Sequence, residues 1–512
     1  MPTRRLFLTG ATVSTLLPSA VIHAQVQKNP FTLGVASGSP RDTSVVLWTR
    51  LAPEPLKGGG MPVGAVPVRY RVCADAAMKK TVFEGTVYTS DAKAHAVHVL
   101  QRGLQPGREY WYQFYFAGAE SPVGRTRTTS PKDKTARFAL ASCNSYEAGY
   151  FSAYADMAAW APDCVIHVGD YIYEGGSNPI GPRTVKAGAD DVTIQGVRQH
   201  NSGEIISLWQ YRNRYALYKS DPHLQAAHAA SPWIMAMDDH EIDNNWAADI
   251  PEDPWAQTPL EFQVRKLAAL QAYYEHTPLE EPPVLNGLNA HLQMYGAYRF
   301  GPAQVYMLDT RQYRSDQVCE DEFPGSNMCD ALADPTRTMT GREQEQWLVH
   351  ALKASGASYN VIASQTWFAP YRYNPQPEGP KVNMDQWDGY PLQRQRLTDV
   401  LADGVANPVV LGGDWHCASA MRIHQDPWDT ATKRVGHNFN GTSISSHCTW
   451  WKQLNAAKAY NPHVDYVNGA QRGYLRCDVR PDNFIAQFRT VTDPTSPQST
   501  VLTDTEIRTR DV

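Results

Sequence analysis

Four short apolar runs in this chain each end abruptly in side chains able to bind metal. Arg137-Phe138-Ala139-Leu140-Ala141 runs into Ser142-Cys143-Asn144, and Cys164-Val165-Ile166-His167-Val168-Gly169 runs into Asp170-Tyr171-Ile172-Tyr173. Trp233-Ile234-Met235-Ala236-Met237 runs into Asp238-Asp239-His240-Glu241, and Pro408-Val409-Val410-Leu411-Gly412-Gly413 into Asp414-Trp415-His416. Apolar runs of this length, flanked by helix-like segments, suit buried parallel strands. Residues just past the carboxyl ends of such strands line the crevice where α/β sheets keep their ligands. The expectation is an α/β core in which these four strand ends meet at one pocket.

The rest of the chain reads as support for that pocket. Its 512 residues allow two or three domains. Residues 25–130 read as all-β, from recurring β-branched runs separated by turn residues at sandwich-like intervals. Leu104-Gln105-Pro106-Gly107-Arg108-Glu109-Tyr110 has the pattern of a tyrosine corner, with Tyr110 as the corner residue. A polar linker at 126–135 precedes a catalytic unit at 136–512. Within it, 149–160, 208–218, 261–276, 340–354 and 391–402 read as helices, with a capping box from Thr340 to Glu343. The Gly-, Pro- and Asp-rich stretch 175–199 reads as a long loop over the crevice. Asn438–Ser446, Tyr474–Val479 and Phe484–Thr490 read as antiparallel strands closing the sheet. Asp309 and Arg311 either reach the site or form a supporting ion pair.

At the N-terminus, Arg4-Arg5-Leu6-Phe7-Leu8 and the weakly apolar run to Ala20 resemble a twin-arginine export signal, with cleavage after Ala24. This predicts a folded protein delivered to the periplasm or the medium by the twin-arginine machinery. In such an oxidising compartment some of the eight cysteines should pair, and Cys319 with Cys329 are the best candidates. The formal charge of −5 argues against a nucleic-acid-binding surface. It leaves a phosphate substrate open, since bound cations reverse a local field.

The donor types narrow the chemistry. A thiolate (Cys143), a phenolate (Tyr173) and carboxylates (Asp170, Asp414) suit a highly charged cation such as ferric iron better than zinc. The run Asp238-Asp239-His240-Glu241-Ile242-Asp243-Asn244-Asn245 is rich in oxygen donors, which favour calcium, manganese or magnesium. Two cations bridged by carboxylate can activate water for phosphoryl transfer. His240 and His416 are then the candidates to give a proton or hydrogen bond to the leaving group.

Together these motifs, with Leu308-Asp309-Thr310-Arg311 and Asp385-Gln386-Trp387-Asp388-Gly389-Tyr390, resemble the PhoD-like alkaline phosphatases over nearly the whole chain. The resemblance implies an α/β metallophosphatase-like sandwich core behind an N-terminal fibronectin-like β-sandwich. It also implies ferric iron (Fe3+) and calcium (Ca2+) as cofactors, and hydrolysis of phosphomonoesters and often diesters. By position Cys143, Asp170, Tyr173 and Asp414 match the iron ligands, with Asp170 bridging to calcium. Which of Asp239, Asn244 or Asn245 coordinates stays open, and His416 falls at the calcium or the phosphate. A phosphodiesterase or phospholipase D-type activity on lipid or polymer diesters is the alternative, with Trp387, Tyr390 and Trp450-Trp451 as a binding rim or as packing. A non-catalytic exported metal- or phosphate-binding protein is the remote one.

Overall fold

The computed structural model describes residues 28–188, 190–287, 289–320 and 323–511. The proposed leader, residues 1–24, lies outside them. Two large sheets form the core. The first has nine strands in the order Val501–Arg508, Asn483–Val491, Gly473–Arg480, Ala136–Ala141, Cys164–His167, Pro232–Met235, Val35–Gly38, Ser44–Arg50 and Ala96–Arg102. The second has seven: Gly296–Phe300, Ala303–Met307, Tyr359–Ala363, Pro408–Gly412, Arg434–Asn440, Ala418–His424 and Val464–Asn468. In each sheet the four neighbouring strands at the centre run parallel and the outer strands antiparallel.

The pleat explains the layering. On the second sheet Val305, Met307, Val361, Ala363, Val409 and Leu411 share a buried cluster with Phe138 and Leu140 of the first. Their chain neighbours Tyr306, Leu308, Ile362 and Val410 pack instead with Leu348 and Leu352 of the helix Gly341–Lys353 and Leu397 and Leu401 of Pro391–Ala402. Alternate side chains of one strand therefore face the other sheet and a helical layer. The helices Ser152–Trp160, Leu208–Lys219, Pro222–Ala230 and Pro259–His276 bury Tyr154, Tyr215, Leu224 and Phe262 in the cluster of the first sheet.

Residues 28–130 are β-rich, and they are not detached from this core. Val35–Gly38 pairs in parallel with Pro232–Met235, so three N-terminal strands extend the nine-stranded sheet. A five-stranded sheet built on Val66–Cys73 and Glu109–Phe116 packs against that extension through Val68, Tyr112 and Phe114. The Tyr110 hydroxyl accepts a hydrogen bond from Gln105 N at 2.9 Å, the contact expected of a corner residue.

Three local expectations change. Residues 175–199 are not a plain loop: Gly181–Ala187 and Asp190–Gly196 form a hairpin, in which Val185 pairs with Val192. The strand alternation is present, but Gly, Pro and Asp mask it. Thr340 is the N-cap of its helix, yet no capping box forms, because its hydroxyl accepts from Gln393 Nε2 at 2.7 Å. A capping box stands instead at Thr258–Glu261. The strand at 434–440 ends before Gly441 and runs parallel to Pro408–Gly412, with only Ala418–His424 antiparallel to it. The pairing of Gly473–Arg480 with Asn483–Val491 is antiparallel, as expected. Cys319 and Cys329 form a disulfide, and the other six cysteines are buried thiols.

Candidate metal centre

The carboxyl ends of the parallel strands deliver the site. Cys143 follows Ala136–Ala141, Asp170 follows Cys164–His167, and Asp238 to His240 follow Pro232–Met235. The second sheet contributes Arg311 after Ala303–Met307 and Asp414 and His416 after Pro408–Gly412. Two glycines make this convergence possible. Gly169 has φ +105°, and a Cβ there would stand 2.3 Å from Asp238 Cβ. At Gly413 a Cβ would stand 2.7 Å from Ser142 Oγ and 2.9 Å from Val168 Cγ2, so only glycine lets the two sheets' ends touch.

Ligand atoms of Cys143, Asp170 and His416 all lie within 4.8 Å of one another, and the same holds for Asp170, Asp239 and His240, and for Asp238, Asp239 and Asp414. Asp170 belongs to the first two groups and Asp239 to the last two. The Tyr173 hydroxyl donates to Asp170 Oδ2 at 2.9 Å and lies 3.1 Å from His416 Nε2 and 2.6 Å from Ser446 Oγ. His416 Nδ1 is 2.7 Å from the His447 carbonyl oxygen, which can only accept, so the proton sits on Nδ1 and the Nε2 lone pair faces the site. Burial, with Arg472 nearby, brings His416 down to about 3, keeping it neutral.

Asp414 is split between the groups. Its carbonyl oxygen is 3.8 Å from Cys143 Sγ, whereas its carboxylate gathers with Asp238 and Asp239 and accepts from Gln386 Nε2. Asn244 and Asn245 line the adjoining cavity of about 310 Å³. There the Asn244 side chain donates to Glu252 at 2.6 Å, and Asn245 N donates to Asp239 Oδ2 at 2.9 Å. His240 Nδ1 donates to Glu174 Oε2 at 2.8 Å. Although burial opposes it, Glu174, Asp239 and Asp170 hold the His240 imidazole well above its ordinary range.

Cation binding fits the buried donors. Asp170 Oδ1 and Asp238 Oδ2 are buried with no hydrogen-bond donor. Burial first, and neighbouring anions next, push Cys143, Tyr173, Asp170 and Asp414 well above their usual ranges. Removing such groups from water without a counter-charge is costly, and a shared cation would relieve both terms. Asp239, Asp385 and Asp414 line this cavity, so a phosphate entering it meets negative charge that bound cations would offset.

Several supporting residues carry weak or no sequence signals. Glu241 accepts from Asp170 N (3.0 Å), Tyr171 N (2.5 Å) and Asp238 N (2.8 Å), fastening two strand ends together. Of the two alternatives open for Asp309 and Arg311, Arg311 both reaches the site's carboxylates and forms ion pairs there. It bonds Asp385 bidentately at 2.8 and 2.7 Å and Asp238 at 2.5 Å, while Asp309 instead accepts from Gln312. Arg472 donates to the His416 and Ser446 carbonyls at 2.8 and 2.6 Å. Ser446 and Arg472 stand in no motif that marks them. Gln386 falls inside the run 385–390.

Comparison with known proteins agrees with this geometry. The sequence model of the PhoD-like phosphatase matches residues 138–488, and that of the PhoD-like phosphatase N-terminal domain matches residues 16–130. The chain belongs to the PhoD-like phosphatase family. It is 44% identical over 483 residues to alkaline phosphatase D of Bacillus subtilis (strain 168), covering 93% of this chain and 80% of that protein. A solved structure described as "Structure of PhoD" superposes with a TM-score of 0.87 at 42% identity, covering 94% of this chain and 90% of the other. The enzyme is thus a phosphatase, a hydrolase of phosphoric esters, and the non-catalytic reading is set aside. The matched span 138–488 contains every residue of the buried cluster.

Proposed function

We propose that the enzyme is an exported alkaline phosphatase of the metallophosphatase type, cleaving phosphomonoesters and diesters with water activated by ferric iron and calcium. The carrying observation is the set of ligand atoms from Cys143, Asp170 and His416 within 4.8 Å of one another, with the Tyr173 hydroxyl hydrogen-bonded to Asp170. Thiol, phenol and carboxylate suit a ferric ion, which Cys143, Asp170, Tyr173 and His416 would hold. Asp239 and Asp414, with Asp170 shared, supply the oxygen donors calcium prefers, and Asn244 and Asn245 stand beside them at the cavity wall. When bound, such cations lower the pKa of a water nucleophile and offset charge on the phosphate oxygens.

The chain's own groups do the remainder. His240, its Nδ1–H hydrogen-bonded to Glu174, offers its Nε2 proton from the cavity wall to the departing ester oxygen. Glu241 and Arg311 hold the acidic strand ends in register. We read the N-terminal unit as a fibronectin-like sandwich, on the strength of the Tyr110 corner contact. The Arg4-Arg5 leader and the Cys319–Cys329 disulfide both support export by the twin-arginine route to an oxidising compartment.

Metal analysis and a visible spectrum of the purified protein test this reading. Iron and calcium should copurify, with a ferric–phenolate band that Tyr173→Phe removes or strongly shifts. An unchanged band in that variant, or phosphate release indifferent to chelators, refutes the assignment.

A further inference from the structure

We propose that Phe323, Trp415 and Trp450 form a subsite for the organic group of the ester, so that the enzyme favours phosphate esters of aromatic or bulky apolar alcohols over small aliphatic ones. The proposal rests on the phosphatase reading and names its substrate class.

The cavity beside the acidic cluster has two unlike walls. One is polar, with Asp239, His240, Asp385 and Asp414, and the other is Phe323, Trp415 and Trp450. These rings make a continuous path outward from the donors. The His416 and Trp450 ring centroids are 5.6 Å apart, Trp450 and Trp415 4.8 Å, and Trp450 and Phe323 4.9 Å edge-to-face. Phe323 closes the triangle on Trp415 at 5.8 Å. An ester whose phosphate sat among the carboxylates and His416 would carry its alcohol along this wall.

Phe323 is 43% exposed, and its inner edge rests on Trp450 and Trp415 at the margin of the core behind the second sheet, leaving part of the ring open at the cavity. The wall is nevertheless held in place. Trp415 Nε1 donates to Tyr373 Oη at 2.6 Å, which fixes the indole plane. The Cys319–Cys329 disulfide closes the loop that carries Phe323. The hairpin abuts the same loop, since a Cβ on Gly188 would stand 3.9 Å from the Phe323 carbonyl oxygen. Gln453 holds the same end of the hairpin, donating to Asp190 at 2.7 Å. The notion of a rim at Trp387, Tyr390 and Trp451 does not survive. Trp387 and Tyr390 are buried in the core behind the second sheet, and Trp451, partly buried, packs against the same core.

Calorimetric titration of the metal-loaded protein with phenylphosphonate and methylphosphonate tests the subsite without turnover. Wild type should bind the phenyl compound about tenfold more tightly, the scale of one buried ring contact with its area. Phe323→Ala, on a partly exposed position, should bring the two dissociation constants within about threefold, and Phe323→Tyr should restore the gap. Equal affinities in wild type overturn the subsite, as does an unchanged ratio in Phe323→Ala. Phosphate release from glycerol phosphate distinguishes the two readings. If that ester is cleaved while both phosphonates bind equally, the subsite falls and the phosphatase stands. If inorganic phosphate and both phosphonates fail to bind, both fall.

Discussion

Replacing Arg311 by methionine isolates what one buried cation contributes to this acidic site. The guanidinium is wholly buried, bonds both oxygens of Asp385 and one of Asp238, and lies 3.7 Å from Asp239 Oδ2. Methionine keeps most of the volume and removes the charge, leaving Asp238 and Asp239 without this partner and Asp385 with Arg314 alone, at 3.0 Å. Breaking a buried ion pair in this one-sided way costs about 3–5 kcal/mol. At about 2.1 cal/mol/K per residue, the unfolding entropy of a chain this long is on the order of 1 kcal/mol/K, so the melting temperature should fall by about 3–5 °C. Scanning calorimetry in excess metal measures the fall. Asp385→Asn alone should also destabilise, and the double variant should be less destabilised than the sum, with a coupling of about 1.5–3 kcal/mol. If Arg311→Met melts within 1 °C of wild type, or the two changes simply add, Arg311 is not the counter-charge argued here.

Two further outcomes follow from local geometry. Gly169→Ala places a Cβ 2.3 Å from Asp238 Cβ at φ +105°. It should cost about 2–4 kcal/mol and, by shifting Asp170, about 100-fold in kcat, read by calorimetry and phosphate release. Lys219 is buried with Nζ 4.2 Å from the Trp48 ring centroid and 5.4 Å from that of Tyr171, and burial lowers its pKa to about 7. Between that value and the unfolded value of about 10.4 the unfolded chain binds the extra proton, so this group makes stability rise with pH, and its full burial cost is present below about pH 7. Lys219→Met should therefore raise the melting temperature most below pH 7 and flatten the rise between pH 7 and 10. An unchanged pH slope contradicts the assignment.

What was readable in the sequence follows from how local its cause is. The runs at 137–141, 164–169 and 408–413 could be placed because an apolar strand and its polar terminus are contiguous in the chain. The helix at 391–402 opens on a proline at its first turn, a local start signal. Misreadings came where the signal is not contiguous. The hairpin at 181–196 is held by cross-strand pairs whose Gly and Pro content resembles loop. Thr340 lost its capping role to Gln393, which is 53 residues away. The merging of Val35–Gly38 into the main sheet through Pro232–Met235 depends on a register between distant segments. Ser446 reaches the site on the loop that follows the strand at 434–440, and Arg472 on the turn between Val464–Asn468 and Gly473–Arg480, and nothing in either side chain announces that.

The backbone at the site is the part no residue pattern could express. Cys143, Asp170, Asn245, Asp414 and His416 all have φ between +49° and +61°, in the left-handed region that L-residues avoid. Asparagine, aspartate and histidine are enriched there, whereas cysteine gains nothing locally from it. Such conformations cost on the order of 1–3 kcal/mol each and persist only where surrounding contacts over-determine them. Here the contacts are identifiable. Asp170 N is held by Glu241, the Cys143 carbonyl accepts from Ser446 Oγ at 2.9 Å, and the His416 carbonyl accepts from Arg472. Each tight turn sends its side chain back across the ends of the strands rather than outward along them. The core thus offsets local strain to bring anionic donors closer than their charges alone would permit, and the cations that join them give that strain its function.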